Sequence, residues 1–195
     1  MVPKGELARS FRAMNTDVEV IICIPDRNTP AGELALSQVE DIFVKVESTL
    51  SRFNPESELS RLNASAGYPF VASPLLLEVV EMALKMARMT GGVFDPTIIH
   101  SLRAAGYDRS FEYVEMRAEP HLETPTSSDF TWRSICLDQD NTTIFLPEGC
   151  GIDLGGIGKG WTVDRACLAL QKFPCYAIDA GGDIRVNGTQ ADGTP

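Results

Sequence analysis

One stretch of the sequence organises the others: GIDLGGIGKGW, residues 151–161. The pattern predicts a short strand over 152–154, four glycines within the next six residues, and a helix that continues to about Lys172. Such a strand-to-helix junction presents backbone N–H groups to a phosphate, and Lys159 adds a positive charge beside them. Asp153, at the end of the strand, is a candidate ligand for a ribose, a ring nitrogen or a metal-bound water. A tight turn whose glycines permit close packing is the alternative.

Two standard phosphate-binding motifs fail on this stretch. A Walker A loop requires glycine five residues before the Gly-Lys pair and a hydroxyl residue after it, but these positions hold Asp153 and Gly160. A dinucleotide fingerprint that starts at Gly156 requires glycine or alanine where Trp161 stands. The phosphate-binding hypothesis therefore points to neither of these folds.

The segments around the junction predict a mixture of helices and strands. Apolar residues recur every three to four positions in the longest predicted helix and alternate with more polar ones in the first predicted strand. The predicted helices cover residues 33–50, 57–63, 73–90 and 97–106, and the predicted strands cover 11–24, 134–138, 142–146, 176–179 and 184–186. Residues 107–133 resemble a long loop. We therefore expect an α+β fold with a mixed, largely antiparallel sheet and flanking helices.

Size and charge restrict the class of protein. With 195 residues we expect a single domain over 1–195. Seventeen Lys and Arg against 27 Asp and Glu give a formal net charge of −10, which argues against nucleic acid as a partner. No apolar run is long enough for a membrane span.

The five cysteines are predicted to be free thiols, because their number is odd and no Cys-x-x-Cys motif occurs. Buried free thiols are typical of a reducing compartment. The N-terminal residues contain no apolar segment of a secretory signal. Together these features predict a cytoplasmic protein.

Three further loops have a plain structural interpretation. Residues 51–63 pack hydroxyls, an amide and an aromatic ring around a helix start and are interpreted as a capping segment. Residues 91–96 are interpreted as a glycine helix stop followed by Asp95 as the N-cap of the next helix. Residues 179–184 are interpreted as a hairpin turn that carries two carboxylates.

A family resemblance rests on five segments taken in order: MNT at 14–16, LSRF at 50–53 with the residues that follow to 63, GGVFDPT at 91–97, DLGGIGKG at 153–160 and DAGGD at 179–183. Together they resemble the FAD:protein FMN transferases, also called ApbE-type flavin transferases. The resemblance implies a Mg²⁺-dependent enzyme that transfers FMN from FAD to a Thr or Ser hydroxyl of an acceptor protein and releases AMP. FAD, Mg²⁺ and the acceptor protein are the implied cofactors and partners.

The resemblance also implies roles for individual residues. Met14 and Phe53 would contact the flavin nucleotide, and so would the loop residues Val93, Phe94 and Asp95. Asp153 and Lys159 would hold the nucleotide and its phosphates, and the backbone carbonyl of Gly156 would coordinate the metal. Asp183 is a weaker candidate, for packing or for fixing its loop.

Family members continue beyond the position where this sequence stops. The resemblance therefore implies that residues 1–195 correspond to the N-terminal two-thirds of a flavin transferase. It places the catalytic residue and further metal ligands beyond residue 195, because His100 and His121 lie in other segments. An FAD-binding module, an FAD pyrophosphatase without protein transfer, and an inactive fragment are the alternatives.

Overall fold

A computed structural model describes residues 5–24, 29–107 and 130–188. In chain order its elements are β1 (Gly5–Ala13), β2 (Thr16–Ile24), α1 (Thr29–Leu50), α2 (Glu58–Ala64), β3 (Pro69–Val71), α3 (Pro74–Met89), α4 (Ile99–Ala104), β4 (Cys136–Asp138), β5 (Thr143–Phe145), α5 (Gly155–Leu170), β6 (Tyr176–Ala180) and β7 (Asp183–Asn187). All strand pairs are antiparallel, so the predicted α+β class is confirmed. Most of the predicted loop over 107–133, His121 included, falls outside the described residues.

The chain divides into two compact units. Unit 1 takes residues 1–47 and 159–195 from the two ends of the chain, and unit 2 takes the continuous segment 48–158. The single domain over 1–195 stays a prediction. No helix within the described ranges is long and apolar enough to cross a membrane.

Unit 1 is built on a four-stranded sheet in the order β1-β2-β6-β7. The inward side chains of β2 and β6 are fully buried, and they share a core with residues of α1 and α5. The core includes Val18, Val20, Ile22, Leu36, Val39, Phe43, Ala166, Leu170 and Ile178. The three-to-four spacing in α1 and the alternation in β2 therefore predicted the buried faces correctly.

The single strand predicted over 11–24 is wrong. The structure has a hairpin there, in which Ala13 pairs with Thr16 across a two-residue turn. Met14 and Asn15 have positive φ values of 52° and 61°, as a tight hairpin turn requires. Asn tolerates this conformation, but Met is a poor signal for it, so the sequence pattern concealed the turn.

Two of the five cysteines are not free thiols, which corrects the prediction. Cys23 and Cys175 form a disulfide, with their Cα atoms 5.2 Å apart. The antiparallel register that pairs Ile22 with Tyr176 places these two residues opposite each other. Cys136, Cys150 and Cys167 are free. Sequence spacing could not reveal the pair, because the two cysteines are 152 residues apart.

Unit 2 contains a three-stranded sheet in the order β3-β5-β4, together with α2, α3 and α4. The two predicted serine N-caps are confirmed, since Ser57 and Ser73 precede α2 and α3 and accept hydrogen bonds from Ser60 N and Leu76 N. Strand β3 was not predicted, because its sequence PFV includes a proline and shows no alternation of apolar and polar residues.

Candidate functional site

The start of α5 differs from the predicted loop. No strand forms over 152–154, and α5 begins at the first glycine, so all four glycines lie within the helix. The Asp153 carboxylate accepts a hydrogen bond from Gly155 N at 3.1 Å. The N–H groups of Ile157 and Gly158 both donate to the carbonyl of Leu154. The N–H groups of Gly155, Ile157 and Gly158 therefore donate within the protein, at a helix end where Gly155 and Gly156 are exposed.

Two glycines of the stretch lie close to other side chains. A Cβ atom on Gly151 would lie 2.8 Å from Cγ2 of the buried Ile99, and one on Gly156 would lie 3.2 Å from Cε2 of Phe94. Both distances are shorter than ordinary van der Waals contact. Close packing therefore accounts for the glycine at position 151, and at position 156 the ring of Phe94 lies against the first turn of α5.

Asp153 is buried and paired with a cation. Its side chain is 7% exposed, and its Oδ1 lies 2.7 Å from Nη1 of Arg52. Its backbone N–H donates to the carbonyl of Pro96 at 2.8 Å. The carboxylate thus has an arginine on one oxygen and the first amide of α5 on the other.

Asn63 fixes the neighbouring backbone. Its side-chain amide donates to the carbonyl of Ile152 at 2.9 Å, and its Oδ1 accepts from Ile152 N at 2.8 Å. These two bonds satisfy the backbone groups of Ile152 that a strand partner would otherwise satisfy. The predicted strand over 152–154 is therefore replaced by a side-chain clamp.

Arg52 and Asn63 were missed as candidate site residues. Both lie in the segment 51–63, which the sequence pattern identified as a helix cap. That interpretation is correct for Ser57, but it left the two polar side chains without an assigned partner. Their partners lie 101 and 89 residues further along the chain, beyond the reach of spacing rules.

Phe53 is exposed and lies beside the arginine. The Cζ atom of Arg52 is 4.6 Å from the centre of the Phe53 ring, a distance typical of a cation–π contact. This contact brings the predicted aromatic residue next to the Arg52–Asp153 pair.

In the loop after α3, Val93 is exposed, whereas Asp95 is hydrogen-bonded within the protein. Val93 is 92% exposed. Asp95 accepts hydrogen bonds from the Thr97 backbone and hydroxyl on one oxygen and from Trp132 N on the other. Its predicted role as an N-cap is wrong, because α4 begins at Ile99 with Ile98 as its N-cap. The Asp95 carboxylate instead links its own loop to the backbone of Trp132.

Unit 1 contains the candidates Met14, Lys159 and Asp183. Nζ of Lys159 lies 3.8 Å from Oδ2 of Asp183, and the two side chains are 34% and 44% exposed. This distance exceeds that of a charge-assisted hydrogen bond, so the contact is a loose ion pair. The hydroxyl of the buried Thr162 donates to Sδ of Met14 at 3.5 Å.

One buried thiol lies near the Asp95 loop. Burial raises the pKa of Cys150, and the negative charge of Asp95 raises this pKa further. Cys150 therefore stays protonated at neutral pH and is a poor nucleophile.

Comparison with known proteins assigns the family. The model of the ApbE family matches residues 14–195. The chain belongs to the ApbE family. Among curated relatives, the FAD:protein FMN transferase of Vibrio cholerae is 28% identical over 169 residues, which are 82% of this chain and 48% of the relative. The enzyme of the same name from Treponema pallidum is 29% identical over 80% of this chain and 45% of its own length.

Solved ApbE structures have the same fold. The apo flavinyl transferase ApbE of Pseudomonas stutzeri has a TM-score of 0.82 at 21% identity, over 100% of this chain and 65% of that one. The ApbE protein of Thermotoga maritima has a TM-score of 0.80 at 21% identity, over 95% of this chain and 60% of that one. The chain spans about half the length of the curated relatives it matches.

The described part of this ApbE-family chain contains no cluster of side chains of the kind that holds a metal ion. No group of three His, Cys, Asp or Glu side chains within the described ranges could hold a metal ion. Gly156, the predicted carbonyl ligand, lies in the first turn of α5. A carbonyl at that position faces the amide one turn further along its own helix, so it has one lone pair left for a ligand.

Proposed function

We propose that this chain forms the FAD-binding part of a flavin transferase. The proposed reaction is the Mg²⁺-dependent transfer of FMN from FAD to a Thr or Ser hydroxyl of an acceptor protein, with release of AMP. The family match over residues 14–195 carries this proposal, since the relatives it resembles bear the name FAD:protein FMN transferase.

The first turn of α5 supports binding of the FAD pyrophosphate. Gly155 and Gly156 are exposed there, and a helix N-terminus attracts negative charge. Lys159 follows one turn later with a partly exposed ammonium group. Phe94, which packs on Gly156, and Phe53 offer rings for the flavin or the adenine. We assign further nucleotide contacts to Met14 and Val93.

Asp95 and Asp153 are proposed to act on the nucleotide indirectly. Both oxygens of each carboxylate already accept hydrogen bonds from the protein. They would therefore shape the FAD site by holding its loops.

In the proposed reaction, the acceptor hydroxyl oxygen bonds to the phosphorus of the FMN phosphate. The bond from that phosphorus to the oxygen shared with the AMP phosphate breaks, and AMP leaves with the bond electrons. The hydroxyl proton passes to a base that we expect beyond residue 195. Mg²⁺ supplies charge neutralisation on the phosphates when it is bound, and the carbonyl of Gly156 is its proposed ligand in this chain.

The compartment stays a prediction. The cytoplasmic prediction depends on the N-terminal sequence and on five free thiols. Because Cys23 and Cys175 form a disulfide, the second observation no longer supports it.

A flavin-fluorescence titration with FAD, with and without Mg²⁺, tests the proposal. We expect FAD binding that Mg²⁺ strengthens and that Lys159→Ala weakens about tenfold, as expected for the loss of one charge-assisted contact. Lys85→Ala, an exposed lysine of α3, is the control. Unchanged affinity in Lys159→Ala would show that the phosphate site is misassigned.

Product analysis separates the alternatives. Covalent flavin on an acceptor protein together with AMP supports the transferase. AMP and free FMN without an acceptor would indicate a pyrophosphatase, and FAD binding without AMP would indicate a binding module. Absence of FAD binding would contradict the proposal for this chain.

A further inference from the structure

Arg52 is a mostly buried cation that the family resemblance leaves without a role. Its side chain is 20% exposed. Its Nη1 contacts Asp153, its guanidinium lies over Phe53, and its buried Nε has no hydrogen-bond partner. The guanidinium is therefore held on two sides.

The Arg52–Asp153 pair contacts the backbone at the start of α5. Asp153 uses Oδ1 for Arg52 and Oδ2 for the N–H of Gly155, the first residue of α5. The arginine thus restrains the carboxylate that caps the helix. Without Arg52, the carboxylate would lose its countercharge and would be free to turn away from Gly155 towards water.

Stability alone does not account for this arrangement. Burying an ion pair costs desolvation energy that the attraction between the charges often fails to recover. The buried Nε–H without a partner adds a further cost. The pair is better explained by what it holds in place, because a bidentate-capable guanidinium imposes direction as well as charge.

We propose that Arg52 is a positioning residue which, through Asp153, fixes the first turn of α5 in the geometry that binds FAD. This inference rests on the proposed function for the identity of the ligand. The effect on the helix does not depend on that ligand and can be measured without it.

Hydrogen exchange of the backbone amides tests the proposal on the whole chain. In Arg52→Met, we expect exchange of the Gly155–Gly158 amides to rise about tenfold more than exchange of the α3 amides. A merely structural role would raise exchange by a similar factor throughout unit 2. Arg61→Met, an exposed arginine of α2, is the control and should change neither set.

A double-mutant cycle shows whether Arg52 acts through Asp153. If it does, Arg52→Met combined with Asp153→Asn exchanges no faster at the start of α5 than Arg52→Met alone. Multiplying effects would show that the two residues act separately and would overturn the proposal, as would unchanged exchange in Arg52→Met.

Two further measurements complete the test. Arg52→Lys keeps the charge without the planar fork, so we expect exchange rates between those of the wild type and Arg52→Met; it also replaces Arg52→Met if that variant does not fold. FAD affinity should fall in the same order as exchange rises, and equal affinity in all three proteins would overturn the link to FAD. If the wild-type chain does not bind FAD, the proposed function fails, whereas the exchange rates still decide the role of Arg52.

Discussion

Within each unit, a different kind of contact links residues that are distant in the sequence. Unit 1 is formed from the two ends of the chain, and its Cys23–Cys175 disulfide links two residues that are 152 positions apart in the sequence. Unit 2 is a continuous segment, and around residues 151–155 it is tied by a buried ion pair and an amide clamp. The long-range link in unit 1 is covalent, whereas the links around residues 151–155 of unit 2 are polar side-chain contacts.

The ion pairs of the candidate site show the same contrast. In unit 2, Arg52 Nη1 and Asp153 Oδ1 are 2.7 Å apart and both side chains are mostly buried, so the two charges are paired with each other. In unit 1, Lys159 and Asp183 are 3.8 Å apart and partly exposed. A loose pair in water contributes little to stability, which leaves the lysine available for a ligand. The buried pair therefore suits a structural role, and the loose pair suits contact between its lysine and a ligand.

Reduction of the disulfide should have the largest effect on stability. A bridge that closes so long a loop restricts the unfolded chain, and its loss should cost about 4 kcal/mol of unfolding free energy. Urea unfolding with and without reductant measures this cost. The double variant Cys23→Ala/Cys175→Ala should not respond to reductant, whereas Cys136→Ala, which removes an exposed free thiol, should respond like the wild type. Five thiols in the unfolded, unreduced protein would contradict the bridge.

Removal of one partner of the buried ion pair should come next. Asp153→Ala leaves the Arg52 charge unpaired and removes the cap on Gly155, which should cost about 3 kcal/mol. Asp164→Ala breaks the exposed pair with Arg185 and should cost about 0.5 kcal/mol or less. Urea unfolding of both variants checks the contrast, and equal losses would refute the distinction between buried and exposed pairs.

Two glycines of the same stretch should respond in opposite directions. Gly151→Ala places a Cβ atom 2.8 Å from Ile99, and such overpacking costs about 2 kcal/mol. Gly160 lies inside α5 with its nearest non-helical neighbour 3.6 Å from the added carbon, so Gly160→Ala should gain about 0.5 kcal/mol from helix propensity. Thermal unfolding compares them, and two losses of similar size would show that both glycines are needed for packing.

Sequence reasoning succeeded where the deciding contact is local. Ser57 and Ser73 cap their helices through amides three residues away, and GG at 181–182 makes the tight turn between β6 and β7. It failed where the partner is distant, as for Cys23 with Cys175 and Arg52 with Asp153. The candidate site was therefore only half predictable: its glycines and Lys159 form a recognisable motif, whereas the side chains that hold its backbone are brought together only by folding.

The loose pair in unit 1 should give the smallest effect. Asp183→Asn removes the carboxylate that competes with a phosphate for Lys159, so FAD affinity should rise about twofold at low salt. The gain should shrink as salt is added and disappear when Lys159→Ala is also present, because the aspartate then has no lysine to engage. A flavin-fluorescence titration at two ionic strengths measures both effects. Weaker binding in Asp183→Asn would instead mean that Asp183 holds Lys159 in its binding position, and the loose pair would then resemble the buried pair in function.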